Sequence, residues 1–166
     1  MKIMKGKALF YSQGPDQGLD LYKAGYELYR KMGDSGGMAR ALNGMGVMYQ
    51  KLGLNDSALS YYIHLATIAD RIGYEQVLGM GYVNMGILYQ YQDDFDKADY
   101  YLERSIELNE KYRPDLVALA YMNKGLIHYS KWENDSALLW YRAAMTIYQQ
   151  QGNSKMLADL YNNLGN

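Results

Sequence analysis

The chain has 166 residues, 49% of them apolar, a formal net charge of -1 and no cysteine. That length suits one domain or a short repeat array, and that apolar content supports a core and excludes a disordered chain. Without a basic excess to neutralise phosphates nucleic-acid binding is excluded, and without thiols so are disulfide scaffolds, thiolate zinc sites and cysteine nucleophiles.

In chain order, Met1-Lys2-Ile3-Met4-Lys5-Gly6-Lys7 is too broken by lysine for a secretory signal. Pro15 stands at a helix start. Met38 to Lys51 and Asn55 to Ile72 are predicted as a helix pair separated by Gly53-Leu54-Asn55. In the second of these, Ala58, Tyr62, Leu65, Ala69 and Ile72 recur at steps of three and four, which is helical spacing. Gly73 suits the position just past a helix end. Val77 to Gln92 holds no charged residue, whereas Asp94 to Lys111 is rich in them. Asp93 or Asp94 is expected to cap the charged helix. Pro114 opens the next helix with Asp115 in its first turn, and Asn153 or Ser154 caps the last. Nothing alternates with period two, so no strand is expected, and no uncharged run reaches the roughly 18 to 20 residues that span a bilayer.

The chain also repeats itself. Gly6, Gly46, Gly86, Gly125 and Gly165 follow one another at steps of 40, 40, 39 and 40, and Gly33, Gly73, Arg113 and Gly152 keep the same register. Asp56-Ser57-Ala58, Asp96-Lys97-Ala98 and Asp135-Ser136-Ala137 do likewise. The unit is about 40 residues, two helices each, with boundaries near 1–34, 35–74, 75–114, 115–153 and a partial fifth unit at 154–166. A glycine inside a helix costs about 1 kcal/mol against alanine, so its recurrence implies close backbone contact. Ala58, Ala98 and Ala137 lie 12 residues after their glycines, and Tyr22, Tyr62, Leu102 and Tyr141 supply the bulk opposite. This is the small-against-large packing of stacked hairpins.

With Leu42, Tyr82, Tyr121 and Tyr161 in its aromatic slot, Met45, Met85 and Leu164 in its leucine slot, and Tyr49 and Tyr89 in its tyrosine slot, the chain resembles the tetratricopeptide repeat. His128 replaces that tyrosine once, Lys124 occupies a leucine slot, Gly18 replaces an alanine, and Arg30, Asp70, Glu110 and Gln149 stand where the closing proline would be. The period is about 40 rather than 34, which leads us to expect second helices longer by more than a turn. The longer unit is similar to the arrays of kinesin light chains, of a cell-polarity adaptor and of bacterial peptide-gated and sensor proteins. The resemblance implies an all-α fold: a right-handed superhelical solenoid of antiparallel helix hairpins, about four and a half repeats long, whose first helices line a concave groove that binds a protein or peptide. It implies no catalysis and no cofactor.

The groove positions implied by the resemblance are Arg40, Asn43, Gly44, Val47 and Gln50, then Met80, Val83, Asn84, Ile87 and Gln90, then Leu119, Met122, Asn123, Leu126 and Tyr129, then Asp159, Asn162 and Asn163. Asn84, Asn123 and Asn163 make a ladder of amides, each both donor and acceptor. Either the ladder meets the backbone of an extended ligand or it ties neighbouring helices together. A clamp for a carboxylate terminus would need Ile3, Lys7, Gly44, Met80 and Asn84; only Lys7 and Asn84 suit it.

Other signals are set aside. Gly44-Met45-Gly46 and Gly79-Met80-Gly81 lack the strand and the Gly-Lys-Ser/Thr of a phosphate loop. Asp93, Asp94 and Asp96 sit at a helix start, where capping explains them. His64, His128, Trp132 and Trp140 are expected to pack. No metal site is expected, because the two histidines stand far apart with no third ligand indicated. The sequence stops one residue past the fifth glycine, so we expect a piece of a longer signalling protein of bacterial type, or an open end that pairs with another copy. A cytoplasmic setting is expected, with a periplasmic sensor region as the alternative.

Overall fold

The structure, a computed structural model, describes residues 15–165. They form eight α-helices and, among the described residues, no strand: α1 (Pro15–Met32), α2 (Ser35–Lys51), α3 (Asn55–Arg71), α4 (Glu75–Tyr91), α5 (Phe95–Asn109), α6 (Pro114–Ser130), α7 (Asn134–Gln150) and α8 (Ser154–Gly165). The all-α class and the helix-pair order agree with the sequence. Gly6, Ile3 and Lys7, with the first helix of the first unit, lie outside the described residues. The expected excess length of the second helices is corrected. α2 and α3 have 17 residues each, as do α6 and α7, while α5 has 15 against 17 in α4. Two helices joined by a short turn bury each other fully only when their lengths match.

The chain divides into two compact units, Met1–Gly81 and Tyr82–Asn166, with the boundary inside α4. In the first, α1 packs on α2 and α2 on α3. Tyr22, Leu42, Tyr62 and Leu65 are fully enclosed there. A β-carbon at Gly44 would stand 2.2 Å from Cε1 of Tyr22, and one at Gly81 would stand 2.6 Å from Cδ2 of Leu65. Both glycines therefore hold two helices together, and Gly44 offers no groove surface. In the second unit α5 packs on α6, α6 on α7 and α7 on α8. Its core joins Ala118, Ala137, Tyr141, Ala144, Tyr148 and Leu160. Gly86 faces Leu102 and Gly125 faces Tyr141, the small-against-large pairs that the repeat implied.

The caps follow the sequence closely. Asp94 accepts the N–H of Lys97 at the start of α5, while its neighbour Asp93 takes the left-handed turn position at φ 58°. Asn153 caps α8 by accepting the N–H of Met156 at 3.2 Å. Gly53 and Gly73 have φ of 75° and 65°, the left-handed conformation that a β-carbon opposes. In the α6–α7 turn the same position is held by Trp132 at φ 63°. The sequence led us to expect Trp132 to pack. It is instead 87% exposed, because the turn aims its side chain away from both helices.

Candidate functional site

Helical periodicity puts Arg40, Asn43, Val47 and Gln50 along one stripe of α2. Arg40 is exposed and donates from Nη1 to the hydroxyl of Tyr74 at 3.2 Å. Asn43, Val47 and Gln50 are half-buried, as is Met80 on α4. In the second unit Asn84, Ile87 and Gln90 of α4 and Leu119, Met122 and Leu126 of α6 are half-buried, and Tyr129 is exposed. Met122 and Leu126 rest on the α6–α7–α8 core. On α8, Asp159 and Asn162 are exposed and Asn163 is half-buried.

Two positions differ from the expectation. Val83 is 1% exposed and belongs to the core. Asn123 is 5% exposed, and its Nδ2 donates to the carbonyl of Leu119 at 2.7 Å, one turn back on its own helix. That bond serves neither a ligand nor a neighbouring helix. A buried amide must find partners, and the carbonyl four residues earlier is the nearest acceptor.

The polar groups at the ends of the groove stripes form a pattern that sequence spacing does not disclose. The hydroxyl of Tyr62 donates to Oε1 of Gln50 at 3.2 Å. One repeat on, Gln90 stands in the position of Gln50 but Leu102 replaces Tyr62, and Oε1 of Gln90 is buried without a partner. In the next repeat Tyr141 keeps the position of Tyr62, 79 residues later, but Tyr129 replaces the glutamine. The buried hydroxyl of Tyr141 has no partner. Burial, with Tyr129 as a lesser contributor, pushes its pKa up to about 12, so the group stays an O–H donor.

Open cavities accompany these features. One of about 390 Å³, beside the α6–α7 turn, is lined by Tyr129, Trp132, Leu138, Tyr141, Asn163 and Leu164 among others. It brings together Tyr129 and Asn163, two groove positions from different helices. Two further cavities, of about 380 and 370 Å³, occupy equivalent places in the two units: Glu27, Met45 and Tyr61 line the first, and Glu107, Lys124 and Trp140 the second, 80, 79 and 79 residues later. The lysine in the leucine slot is explained there. Lys124 is 3% exposed, its Nζ lies 2.6 Å from Oδ1 of Asp99 and 3.1 Å from Oε1 of Glu103, and it sits 4.8 Å from the Trp140 ring centre. His128 packs as expected, stacked on Trp140 and 2.5 Å from Glu133 through Nδ1. His64 is exposed, edge-on to Tyr26.

The sequence pattern of the tetratricopeptide repeat matches residues 37–111 and again residues 77–150. The chain belongs to the tetratricopeptide repeat family. Repeats of this family are as a rule non-catalytic modules that bind proteins. A search of curated protein sequences finds no relative. Among solved structures, the fold is similar to that of aspartyl phosphate phosphatase F from Bacillus subtilis, with a TM-score of 0.85, 18% identity and coverage of 96% of this chain and 42% of that one. It is similar to BtubC from P. vanneervenii, with a TM-score of 0.76, 18% identity and coverage of 91% and 63%. It is also similar to the repeat domain of Arabidopsis FLU, with a TM-score of 0.61, 23% identity and coverage of 66% and 92%. The chain thus spans less than two thirds of the length of the first two, and at these identities the likeness is one of fold. No helix among the described residues is long and apolar enough to cross a membrane.

Proposed function

We propose that this repeat array is the docking or sensory part of a larger regulatory protein of the bacterial signalling type, and that it captures a peptide or partner segment along the first helices of its repeats. The observation that carries this reading is on α6. Leu119, Met122 and Leu126 stay half-exposed on a helix whose other apolar residues are mostly enclosed, and the stripe they form ends at the exposed Tyr129. Apolar surface left open beside a packed core is what an incoming chain would cover. Val47 and Ile87 occupy the same register on α2 and α4. The test is a peptide selected from a random library for binding to the chain. Met122→Glu and Ile87→Glu should each weaken its binding at least tenfold with unchanged helical circular dichroism. Selected peptides indifferent to both substitutions would remove the groove assignment.

A second reading, self-association, is favoured by Tyr161 and Leu164, large apolar residues exposed on α8. Sedimentation that shows only monomer at high concentration removes it.

A further inference from the structure

The cavity beside the α6–α7 turn combines three features that its own chain leaves unexplained. Its wall includes a hydroxyl, that of Tyr141, which is 98% buried as a residue (2% exposed) and has no acceptor, although the equivalent Tyr62 in the first unit has one in Gln50. Its rim carries Trp132, a large side chain held in a backbone conformation that elsewhere falls to glycine, yet scarcely packed against anything. The cost of placing that ring there is not returned by contacts within the chain. Finally, no ionised side chain lines the cavity; its remaining polar groups are the amides of Asn134 and Asn163 and the hydroxyl of Tyr129.

We infer that this cavity is an anchor subsite for one neutral, apolar side chain of an extended partner peptide, with the Tyr141 hydroxyl donating to a backbone carbonyl next to that side chain. The inference rests on the peptide-binding reading above and names the chemistry of one place within it. Apolar contact comes from Trp132, Leu138 and Leu164, which are open to a ligand. Asn163 supplies both a donor and an acceptor for the flanking peptide groups. A buried donor requires an acceptor, and a peptide carbonyl supplies one without bringing a charge. A carboxylate or ammonium group would enter without a counter-ion and is disfavoured. The volume, about 390 Å³, is in the range of roughly 300 to 1,000 Å³ common to ligand pockets.

The test uses the whole chain labelled with nitrogen-15 and four small probes: the N-acetyl amides of phenylalanine, leucine, aspartate and lysine. The reporters are the indole N–H of Trp132 and the side-chain amide of Asn163. The phenylalanine and leucine probes should move both signals saturably at millimolar concentration, and the charged probes should not. Tyr141→Phe should weaken the phenylalanine probe about three- to tenfold, the effect of losing one hydrogen bond. Tyr62→Phe, whose hydroxyl is already paired elsewhere, should leave it unchanged. Trp132→Gly, an exposed change compatible with the turn, should abolish the Asn163 response. Equal shifts from all four probes, no shift at all, or a Tyr141→Phe variant that binds like the parent would overturn the subsite. A selected peptide that perturbs Ile87 and Met122 but leaves Trp132 and Asn163 still would overturn the subsite alone. Silence at all four residues would sink the groove reading with it.

Discussion

Gly46 and Tyr62 are packed so closely that a β-carbon at Gly46 would stand 2.5 Å from Cε1 of the tyrosine and 2.8 Å from Cδ1 and Cζ. The ring is enclosed and has nowhere to turn. Gly46→Ala gains about 1 kcal/mol of helix propensity and loses about 1 to 3 kcal/mol to overpacking. Urea denaturation should show a net loss of about 1 kcal/mol. A stabilised variant would mean that the two helices can separate at little cost.

Lys124 is a different kind of exception. Its partners Asp99 and Glu103 are partly exposed and can return to water when the lysine is removed. Lys124→Met restores the residue type found at Met45 and Met85, and replacing an ion pair of this kind by a hydrophobe of similar size is often neutral or stabilising. Lys124→Ala removes the stem that covers Trp140 and should cost about 2 kcal/mol. Thermal melts of the two variants should separate in that order, and a methionine variant as unstable as the alanine one would show the charge pair itself to be essential.

The bidentate pair between Arg113 and Asp115, at 2.9 and 2.7 Å, fixes the entry to α6. The Arg113 hydrogen bond, chiefly, holds the Asp115 carboxyl below its ordinary pKa of 3.8. A depressed folded pKa gives stability that is complete above the unfolded value, about 4, and is lost as pH falls through the folded value. Asp115→Asn should therefore be less stable than the parent at pH 7, by no more than about 1 kcal/mol since the side chain is 46% exposed, and the difference should close in acid. A gap that persists unchanged at pH 2 would assign the effect to something other than ionisation.

Tyr62 and Tyr141 should respond oppositely to loss of the hydroxyl. Tyr62→Phe breaks the bond to Gln50 and should cost about 1 kcal/mol. Tyr141→Phe removes a buried donor that has no partner and should be neutral or stabilising by up to about 1 kcal/mol. Chemical denaturation of both variants in the absence of ligand reads the contrast, and equal losses would show that Tyr141 does have an acceptor in solution.

Trp132→Gly should stabilise the free chain by about 1 kcal/mol, because a left-handed residue with a β-carbon is strained by about 1 to 2 kcal/mol and this side chain is almost wholly in water. A lower melting temperature for this variant would reveal contacts that its exposure does not suggest.

Much of the fold was legible in the residues. The glycine series fixed the repeat length, the small-against-large pairs Gly46–Tyr62 and Gly125–Tyr141 followed from it, and Gly73, Asp94, Asn153 and Pro114 marked helix ends through conformational and capping preferences that act within a few residues. What one side chain faces across a helix pair is set by packing and is only weakly written in spacing. Gly44 and Val83 share a register with surface positions, yet neighbouring helices close over both. Asn123 looks like its ladder mates, yet burial turns its amide onto Leu119. The unsatisfied hydroxyl of Tyr141 and the exposed ring of Trp132 had no local signal. Whether a polar atom finds a partner, or an aromatic ring finds a wall, depends on what the rest of the chain brings within about 3 or 4 Å of it.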